Sequence, residues 1–493
     1  MRKLAWNISK AIFLLVCLMV GTARAQDAKT VIRNAEKAMG DIKSVRYSGS
    51  GHLGVVGMNW NPTSPWHATL LTSYTRAIDY ATGSSREDIV RNQENPPALG
   101  GEAPYVDAIT EGREVSGKYA WNQPINAYPP PPADQVQPAL AAASERELQI
   151  WLTPHGFLKA AAANNATAKE VMEGGKKFAV LTFMAGKFKL VGTIDSQNLV
   201  TKIDAWTPNP VLGDMPVEVT FTGYKDFPGM KFPTHILQME EASRTFELDV
   251  AKADANVPDA AMKAPDVVLN AKPRGEQVKV EQMGDGVWML YGSHNSVLIE
   301  FKDYLAVVEA PVDEARSIAV LAEVKKLVPN KPIKYVINTH HHFDHSGGLR
   351  TFVAEGATVI THEGNKEFYE WAWKQPHTIE PDRLSENPRE PTFITFKNKY
   401  VLSDGTRDVE VHWDFGDMHD QFLSFVYMPK ERILIEADDF SAWYITNLSL
   451  AMWNNLYGNL ARLQIDPLVM APLHGEVTTM AHWVQVLRES LAR

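Results

Sequence analysis

The segment IKYVINTHHHFDHSGG, residues 333–348, decides how the rest of this chain is interpreted. Residues 333–338 form an apolar run of strand-favouring residues, which predicts a buried strand. The histidine-rich half follows at once and opens a helix, so its side chains lie where a strand ends. The pattern H-x-H-x-D-H within it is made by His340, His342, Asp344 and His345. Imidazole and carboxylate groups that splay from one turn toward two neighbouring points suit zinc and related divalent ions, so we expect a metal site here.

The segments before this turn predict a layered arrangement of strands and helices. Strands are expected at 286–291, 296–301 and 304–309, and a helix at 313–327 precedes the buried strand. Strands that alternate with crossover helices are typical of domains in which helices cover a sheet. We therefore expect residues 278–493 to form a domain of their own.

Together these residues resemble the metallo-β-lactamase superfamily, a set of mostly hydrolytic metalloenzymes with an αββα sandwich, over residues 278–485. Three later positions also match the ligand motifs of that family. His419 follows a glycine-bearing turn, Asp438 follows an apolar strand as the metal-bridging acid, and His474 stands at the last histidine position. The resemblance implies two metals, one held by His340, His342 and His419 and the other by Asp344, His345 and His474, with Asp438 bridging them.

Two positions depart from the family's pattern. Ala437 stands where the family usually has glycine before its bridging acid, so Asp439 is a rival to Asp438 as the bridging ligand. His341 lies between two ligand histidines and has no matching role. His294 and His377 are candidates for lining a substrate pocket, although a lone histidine is more often a polar surface group.

The seven ligands imply a mechanism of hydrolysis. Two divalent ions about 3.5–4 Å apart share a water and lower its pKa toward about 7, so that a bridging hydroxide attacks the scissile carbonyl or phosphoryl group. Asp344 is expected to orient this nucleophile while it binds metal, and we assign it as catalytic. Zinc is the expected metal at both positions, with iron and manganese as alternatives.

The single cysteine and the charge narrow the class of substrate. Cys17 lies in the predicted leader, so the mature chain offers no thiolate to a metal and does not fit the β-lactamases that use a cysteine ligand. A bridging carboxylate is more similar to the glyoxalase II, lactonase and phosphodiesterase branches. The net charge of −10 disfavours a nucleic-acid partner, because proteins that bind the phosphate backbone carry a basic face. We expect a small ester, lactone, thioester or amide as the substrate.

The N-terminal part predicts an exported protein with a separate first domain. Residues 1–25 combine a positive start, an apolar run at 11–20 and an Ala-x-Ala end, which predicts a cleaved signal peptide and a periplasmic or secreted location. The run is too short to span a bilayer, and no later stretch is long and apolar enough. Residues 26–40 predict a short amphipathic helix, and residues 45–249 mostly alternate as antiparallel strands do, so we expect a mostly β first domain over 26–251. The proline-bearing residues 252–277 predict a linker. The expected fold class is therefore α+β, with the oligomeric state left open.

Two alternatives remain at this point. Some relatives of the family carry one iron and oxidise sulfur species, and in them Asp344, His345 and His474 would be dispensable. The texture of residues 26–250 also faintly resembles exported carriers that cradle an acyl chain in a half-barrel. On that interpretation the chain binds an apolar ligand or lipoprotein, and the metal domain is secondary.

Overall fold

The computed structural model of the protein describes residues 25–94, 99–101, 108–123, 136–273, 275–439 and 449–491. Two sheet-containing regions follow one another along the chain, and each has its own hydrophobic core. The predicted leader, residues 1–25, lies outside the described residues except for Ala25. None of the described helices has the length and apolar character needed to cross a membrane.

The first region is a large antiparallel sheet, as predicted. Its strands alternate in burial, and residues 213–222 bury every second side chain toward the core. Pairing follows the order β1-β8-β9-β10-β11-β12-β15-β16-β2-β3-β4-β5-β6-β7, while β13 and β14 form a separate hairpin. The strands are β1 Ala25–Gln26, β2 Ser44–Gly54, β3 Ala68–Asp79, β4 Ser84–Gln93, β5 Ile109–Ser116, β6 Tyr119–Gln123, β7 Gln137–Pro138, β8 Thr167–Glu173, β9 Lys176–Ala185, β10 Phe188–Ile194, β11 Val200–Asn209, β12 Gly213–Thr222, β13 Lys225–Phe227, β14 Met230–Phe232, β15 His235–Glu240 and β16 Ser243–Ala255.

Three helices share the core of this sheet: α1 (Ala28–Met39), α2 (Ala143–Trp151) and α3 (Pro154–Ala163). Helix α1 begins after Asp27, whose carboxylate accepts hydrogen bonds from two backbone N–H groups of the first turn. Its apolar face, spaced at three and four residues, is buried as its periodicity predicts. In α3, Phe157 packs on Phe183 of the sheet with ring centroids 5.2 Å apart. These contacts join the helices and the sheet into one domain.

The passage between the two regions begins later than the sequence predicts. Strand β16 continues to Ala255, so the first four residues of the predicted linker 252–277 belong to the sheet. This strand stays paired with β2 as far as Ala255, and those backbone hydrogen bonds extend it beyond the point where its hydrophobic pattern fades. Residues 256–277 then contain one short helix, α4 (Asp266–Leu269).

The second region is the predicted αββα sandwich. One sheet runs in the order β17 to β23, and the other in the order β24 to β29. The strands are β17 Lys279–Gly284, β18 Val287–Tyr291, β19 Ser296–Glu300, β20 Leu305–Val308, β21 Ile333–Ile337, β22 Thr358–His362, β23 Phe393–Phe396, β24 Lys399–Ser403, β25 Asp408–Trp413, β26 Ser424–Met428, β27 Ile433–Glu436, β28 Val469–Pro472 and β29 Thr478–Thr479. The helices are α5 Glu314–Leu327, α6 Phe343–Ser346, α7 Leu349–Ala354, α8 Glu363–Ala372, α9 Arg383–Glu386, α10 Ser449–Leu463 and α11 Met480–Leu491.

Three hydrophobic layers hold this sandwich together. The central layer lies between the sheets and includes Val297 and Val426, both fully buried. An outer layer packs α5 and α7 on the first sheet, and another packs α10 and α11 on the second, where Trp453 and Trp483 are buried. Strands β20 to β23 are parallel, so their carboxyl ends meet at one edge of the sandwich.

Two of the contacts between the domains, among the described residues, bear on the rest of the structure. The tip of the β11–β12 hairpin places Val211 and Leu212 in the outer layer of the second domain. The β2–β3 loop, residues 55–67, places Trp66 edge-on against Phe343, with ring centroids 6.0 Å apart. Because Phe343 opens α6, this second contact brings the first domain to the histidine-rich turn.

Candidate metal centre

The predicted ligands gather at one edge of the sandwich, just beyond the ends of strands from both sheets. His340 and His342 follow β21, and α6 carries Asp344 and His345 directly after them. The remaining ligands follow strands of the second sheet or a turn between them: His419 lies between β25 and β26, Asp438 follows β27, and His474 follows β28. The two sheets thus bring together side chains that are far apart in the sequence.

Three histidines form a buried group that we call the inner triad: His340, His342 and His419. The three residues offer ligand nitrogens that all lie within 4.8 Å of one another. The closest pair is His342 Nδ1 and His419 Nε2, at 2.8 Å. Burial, with the nearby His419 and His341 rings, lowers the pKa of His342 to about 3. A neutral imidazole is the form that binds a metal, so the environment favours the ligand state.

The other predicted ligands form a more open group that we call the outer triad: Asp344, His345 and His474. His345 Nε2 lies 2.8 Å from His474 Nε2 and 3.4 Å from Asp344 Oδ2. Burial alone would lower the pKa of His345, but Asp344 and Asp438 outweigh it and hold that pKa well above its usual value. The carboxylates of Asp344 and Asp438 therefore favour a positive charge next to them. A divalent cation bound to the outer triad would supply this charge in place of the proton on His345.

Asp438 lies between the two triads. Its Oδ2 is 3.5 Å from His340 Nε2 and 3.0 Å from His345 Nε2, while its Oδ1 is 3.2 Å from His474 Nε2. Burial would raise the pKa of Asp438, but His419, His345 and His474 hold it well below its usual value. An ionised carboxylate in this position can serve both triads at once.

The donor atoms themselves test whether a metal fits. His340 Nε2 is buried, makes no hydrogen bond among the described residues, and faces Asp438 Oδ2 at 3.5 Å. Buried polar atoms without partners are costly, and a cation that contacts both would remove that cost. The residues present therefore fit a metal centre.

Asp439, the rival bridging residue, lies elsewhere. Its carboxylate faces Asp414 and Asp417, and burial together with these two acids raises its pKa well above the usual value. None of the predicted histidine ligands forms an ion pair with it, whereas four of them do so with Asp438. The geometry thus favours Asp438 as the bridge.

Glu309 is a functional residue that the sequence interpretation missed. It is fully buried at the end of β20 and adopts a left-handed backbone conformation with φ 70°. Its Oε2 lies 3.0 Å from His345 Nδ1 and also accepts a hydrogen bond from the Thr339 hydroxyl. That hydroxyl is in turn 3.0 Å from His340 Nδ1. One carboxylate thereby orients a ligand in each triad, and a backbone conformation that costs energy at a non-glycine residue is typical of such sites.

The remaining candidate histidines separate into two groups. His294 lies at the centre, with Nε2 3.4 Å from Asp344 Oδ2 and its ring centroid 4.6 Å from that of His474. His377 lies beside Gly213 and Asp382, in a cleft between the domains that none of the predicted ligands lines. The sequence offered no way to tell these two residues apart, because both stand alone in loops.

The two triads differ in their access to solvent. The side chains of the inner triad are at most 5% exposed. In the outer triad, His345 is 1% exposed, whereas Asp344 and His474, like the neighbouring His294, are 23–25% exposed. Among the described residues, the centre is therefore most open to solvent on the side of Asp344 and His474.

Comparisons with known proteins bear on the second domain. Residues 290–429 match the family model described as the metallo-beta-lactamase superfamily. A curated relative, hydroxyacylglutathione hydrolase from Pelagibacter ubique (strain HTCC1062), is 37% identical over 65 residues, which are 11% of this chain and 27% of the relative. The chain thus spans only about a quarter of the length of that relative.

Solved structures of similar fold are more distant in sequence. A metallo-beta-lactamase from Pontibacter korlensis is 20% identical, and the match covers 43% of this chain and 99% of the other, with a TM-score of 0.34. The DIM-1 metallo-beta-lactamase is 17% identical, with 44% and 98% covered and the same TM-score.

Proposed function

We propose that this protein is an exported hydrolase that holds two divalent ions, zinc above all. Its second domain belongs to the metallo-beta-lactamase superfamily, whose members are generally metal-dependent hydrolases. The proposed substrate is a small ester, lactone, thioester or amide. The observation that carries the proposal is Asp438. Its two carboxylate oxygens reach His340 of the inner triad and both His345 and His474 of the outer triad. A carboxylate between two sets of ligands can bind a metal held by each of them.

Each group of residues has a role in this reaction. Bound to the two triads, divalent ions would supply a water of lowered pKa and polarise the substrate carbonyl. Burial would raise the pKa of Asp344, but His345 and His294 hold it well below its usual value, so this carboxylate stays ionised and can orient the attacking water. His294, 3.4 Å from Asp344, is within reach to hold the proton that the leaving group takes up.

Two further observations support hydrolysis of a small molecule. The curated relative is named a hydrolase, and the partly exposed side of the centre carries the carboxylate of Asp344 and the imidazoles of His294 and His474. The acidic net charge of −10 adds to the case against a nucleic-acid substrate. Export is inferred from the leader pattern of residues 1–25.

A panel of substrates with two variants tests the proposal. The full chain, expressed with its leader, is assayed against an ester, a lactone, a thioester and an amide. The His345→Ala and His474→Ala variants are then assayed against the same substrates. We expect both variants to lose hydrolysis by about 100-fold or more, because each removes a ligand of the outer triad. Normal turnover in both would contradict a binuclear hydrolase.

A further inference from the structure

The β2–β3 loop of the first domain reaches the metal centre through one buried residue. Asn59 is 4% exposed and lies against the histidine-rich turn of the second domain. Its backbone carbonyl is 2.8 Å from Nε2 of His342, and its side-chain Oδ1 is 3.0 Å from Nε2 of His341. Asn59 therefore contacts two consecutive residues of the turn, one of which is a predicted ligand.

The contact with His342 selects one form of that ring. A carbonyl oxygen can only accept, so Nε2 of His342 must carry the hydrogen. The lone pair is then left on Nδ1, which is the atom that lies 2.8 Å from His419 Nε2 in the inner triad. A backbone carbonyl that holds the outer nitrogen of a ligand histidine fixes both the tautomer and the direction of the ring.

The contact with His341 gives a role to the histidine that had none. Its Nδ1 pairs with the carboxylate of Asp420, which is fully buried next to His419 in the sequence. With Asn59 on one nitrogen and Asp420 on the other, the ring of His341 links the first domain to the segment that carries His419. His341 thus supports the inner triad from outside it.

The loop is held in place by its own hydrogen bonds. The Asn59 amide donates to the backbone carbonyls of Asn61, at 2.6 Å, and Ser64, at 3.3 Å. This leaves Oδ1 as the atom that faces His341. The same loop also binds the segment around His419: Gln421 donates its backbone N–H to the Trp60 carbonyl at 2.6 Å, and the Trp60 indole donates to the Asp417 carbonyl at 3.3 Å.

A glycine allows this close approach. Gly57 has φ +75°, and a Cβ built on it would lie 2.2 Å from the ring of Phe343. Any larger residue must displace either the loop or the ring of Phe343, the residue that directly follows His342. The position of the Asn59 carbonyl therefore depends on Gly57.

From these contacts we infer that Asn59 is a positioning residue of the metal centre, and that the first domain thereby completes the inner triad. The inference rests on the proposed metal-dependent function. It assigns to the N-terminal domain a role in metal binding that lies outside the matched residues 290–429.

Paired glycine variants test this role in the full chain. Gly57→Ala displaces the loop, whereas Gly83→Ala introduces a side chain at φ +63° with no atom within 4 Å, so the two share the backbone strain and differ in the clash with Phe343. Zinc affinity is measured by competition with a chromophoric chelator. We expect Gly57→Ala to weaken one of the two bound equivalents by about 10- to 100-fold, and Gly83→Ala to leave both unchanged.

Asn59→Ala is a second variant, and its effect is measured by the absorption spectrum of bound cobalt, which a change in protein stability alone does not alter. It removes the side-chain contact with His341 and the two bonds within the loop but keeps a backbone carbonyl. The visible absorption of the cobalt-loaded protein reports the ligand geometry, and we expect it to change in Asn59→Ala and Gly57→Ala but not in Gly83→Ala.

The outcomes separate this inference from the proposed function. If the wild-type chain binds two equivalents and Gly57→Ala matches Gly83→Ala in affinity and cobalt spectrum, the inference is wrong while the proposed function stands. If the wild-type chain binds no divalent metal, both are wrong. If Gly57→Ala does not fold, Asn59→Ala decides the matter by the same two measurements.

Discussion

The two triads of the metal centre contain similar ligands but are supported in different ways. The outer triad is held from within its own domain, because Glu309 at the end of β20 accepts from His345. The inner triad is also held from the other domain, because Asn59 accepts from His342 and Trp60 binds the segment of His419. The outer triad is also the more exposed of the two. The difference indicates that contacts within the sandwich support both triads, while the inner triad also depends on the first domain.

A substitution of Asp438 should have the largest effect, because this residue contacts histidines of both triads. We expect Asp438→Ala to lower hydrolysis by about 1000-fold and to reduce the bound metal at both triads. Asp439→Asn is the matched control, since this neighbour faces Asp414 and Asp417 instead. Steady-state assays and metal analysis of the two variants check the expectation, and equal losses in both would contradict the assignment of Asp438.

Glu309 tests support from within the second domain. Its carboxylate reaches His345 directly and His340 through Thr339, so Glu309→Gln should weaken both zinc equivalents, by about 10- to 100-fold each. The pattern differs from that expected of Gly57→Ala, which should affect one equivalent. Glu300→Gln, on a partly exposed acid of the neighbouring strand β19, is the control. Unchanged affinity in Glu309→Gln would show that the inner and outer ligands need no support from β20.

Thr339→Val should distinguish the two triads, and of these variants it should have the smallest effect on metal affinity. Valine keeps the shape of the buried threonine but lacks the hydroxyl between Glu309 and His340, while the contact of Glu309 with His345 remains. We expect about a tenfold loss of affinity at the inner triad and none at the outer one. Chelator competition resolves the two equivalents. A loss confined to the outer triad would contradict the path from Glu309 through Thr339.

The candidate ligands that the structure gathers could be named from the sequence because each stands in a short local pattern that resembles one of the family's motifs. The H-x-H-x-D-H turn follows an apolar strand, and His419, Asp438 and His474 each follow a turn or strand of recognisable type. Helix α1 was predictable for the same reason, since its buried residues repeat at helical spacing. Such patterns depend on neighbours within a few residues.

The supporting residues follow no such pattern. Asn59 and His341 lie 282 positions apart in the chain, and only the docking of two domains joins them. Glu309 directly follows an apolar strand, a position where an acidic residue is usually the start of a loop. Only the structure shows that its carboxylate contacts Thr339 and His345. The choice between Asp438 and Asp439 likewise depends on which way each side chain leaves the end of β27, which adjacency in the sequence does not reveal.

Metal content is the measurement that tests the central claim most directly. The chain from residue 26 to 493, expressed with its leader and never exposed to chelator, is analysed by elemental mass spectrometry. Two divalent ions per chain, zinc above all, are predicted, because Asp438 connects two sets of ligands. A single iron per chain, or no metal at all, would contradict the account and give weight to the oxidation or the acyl-carrier alternative, respectively.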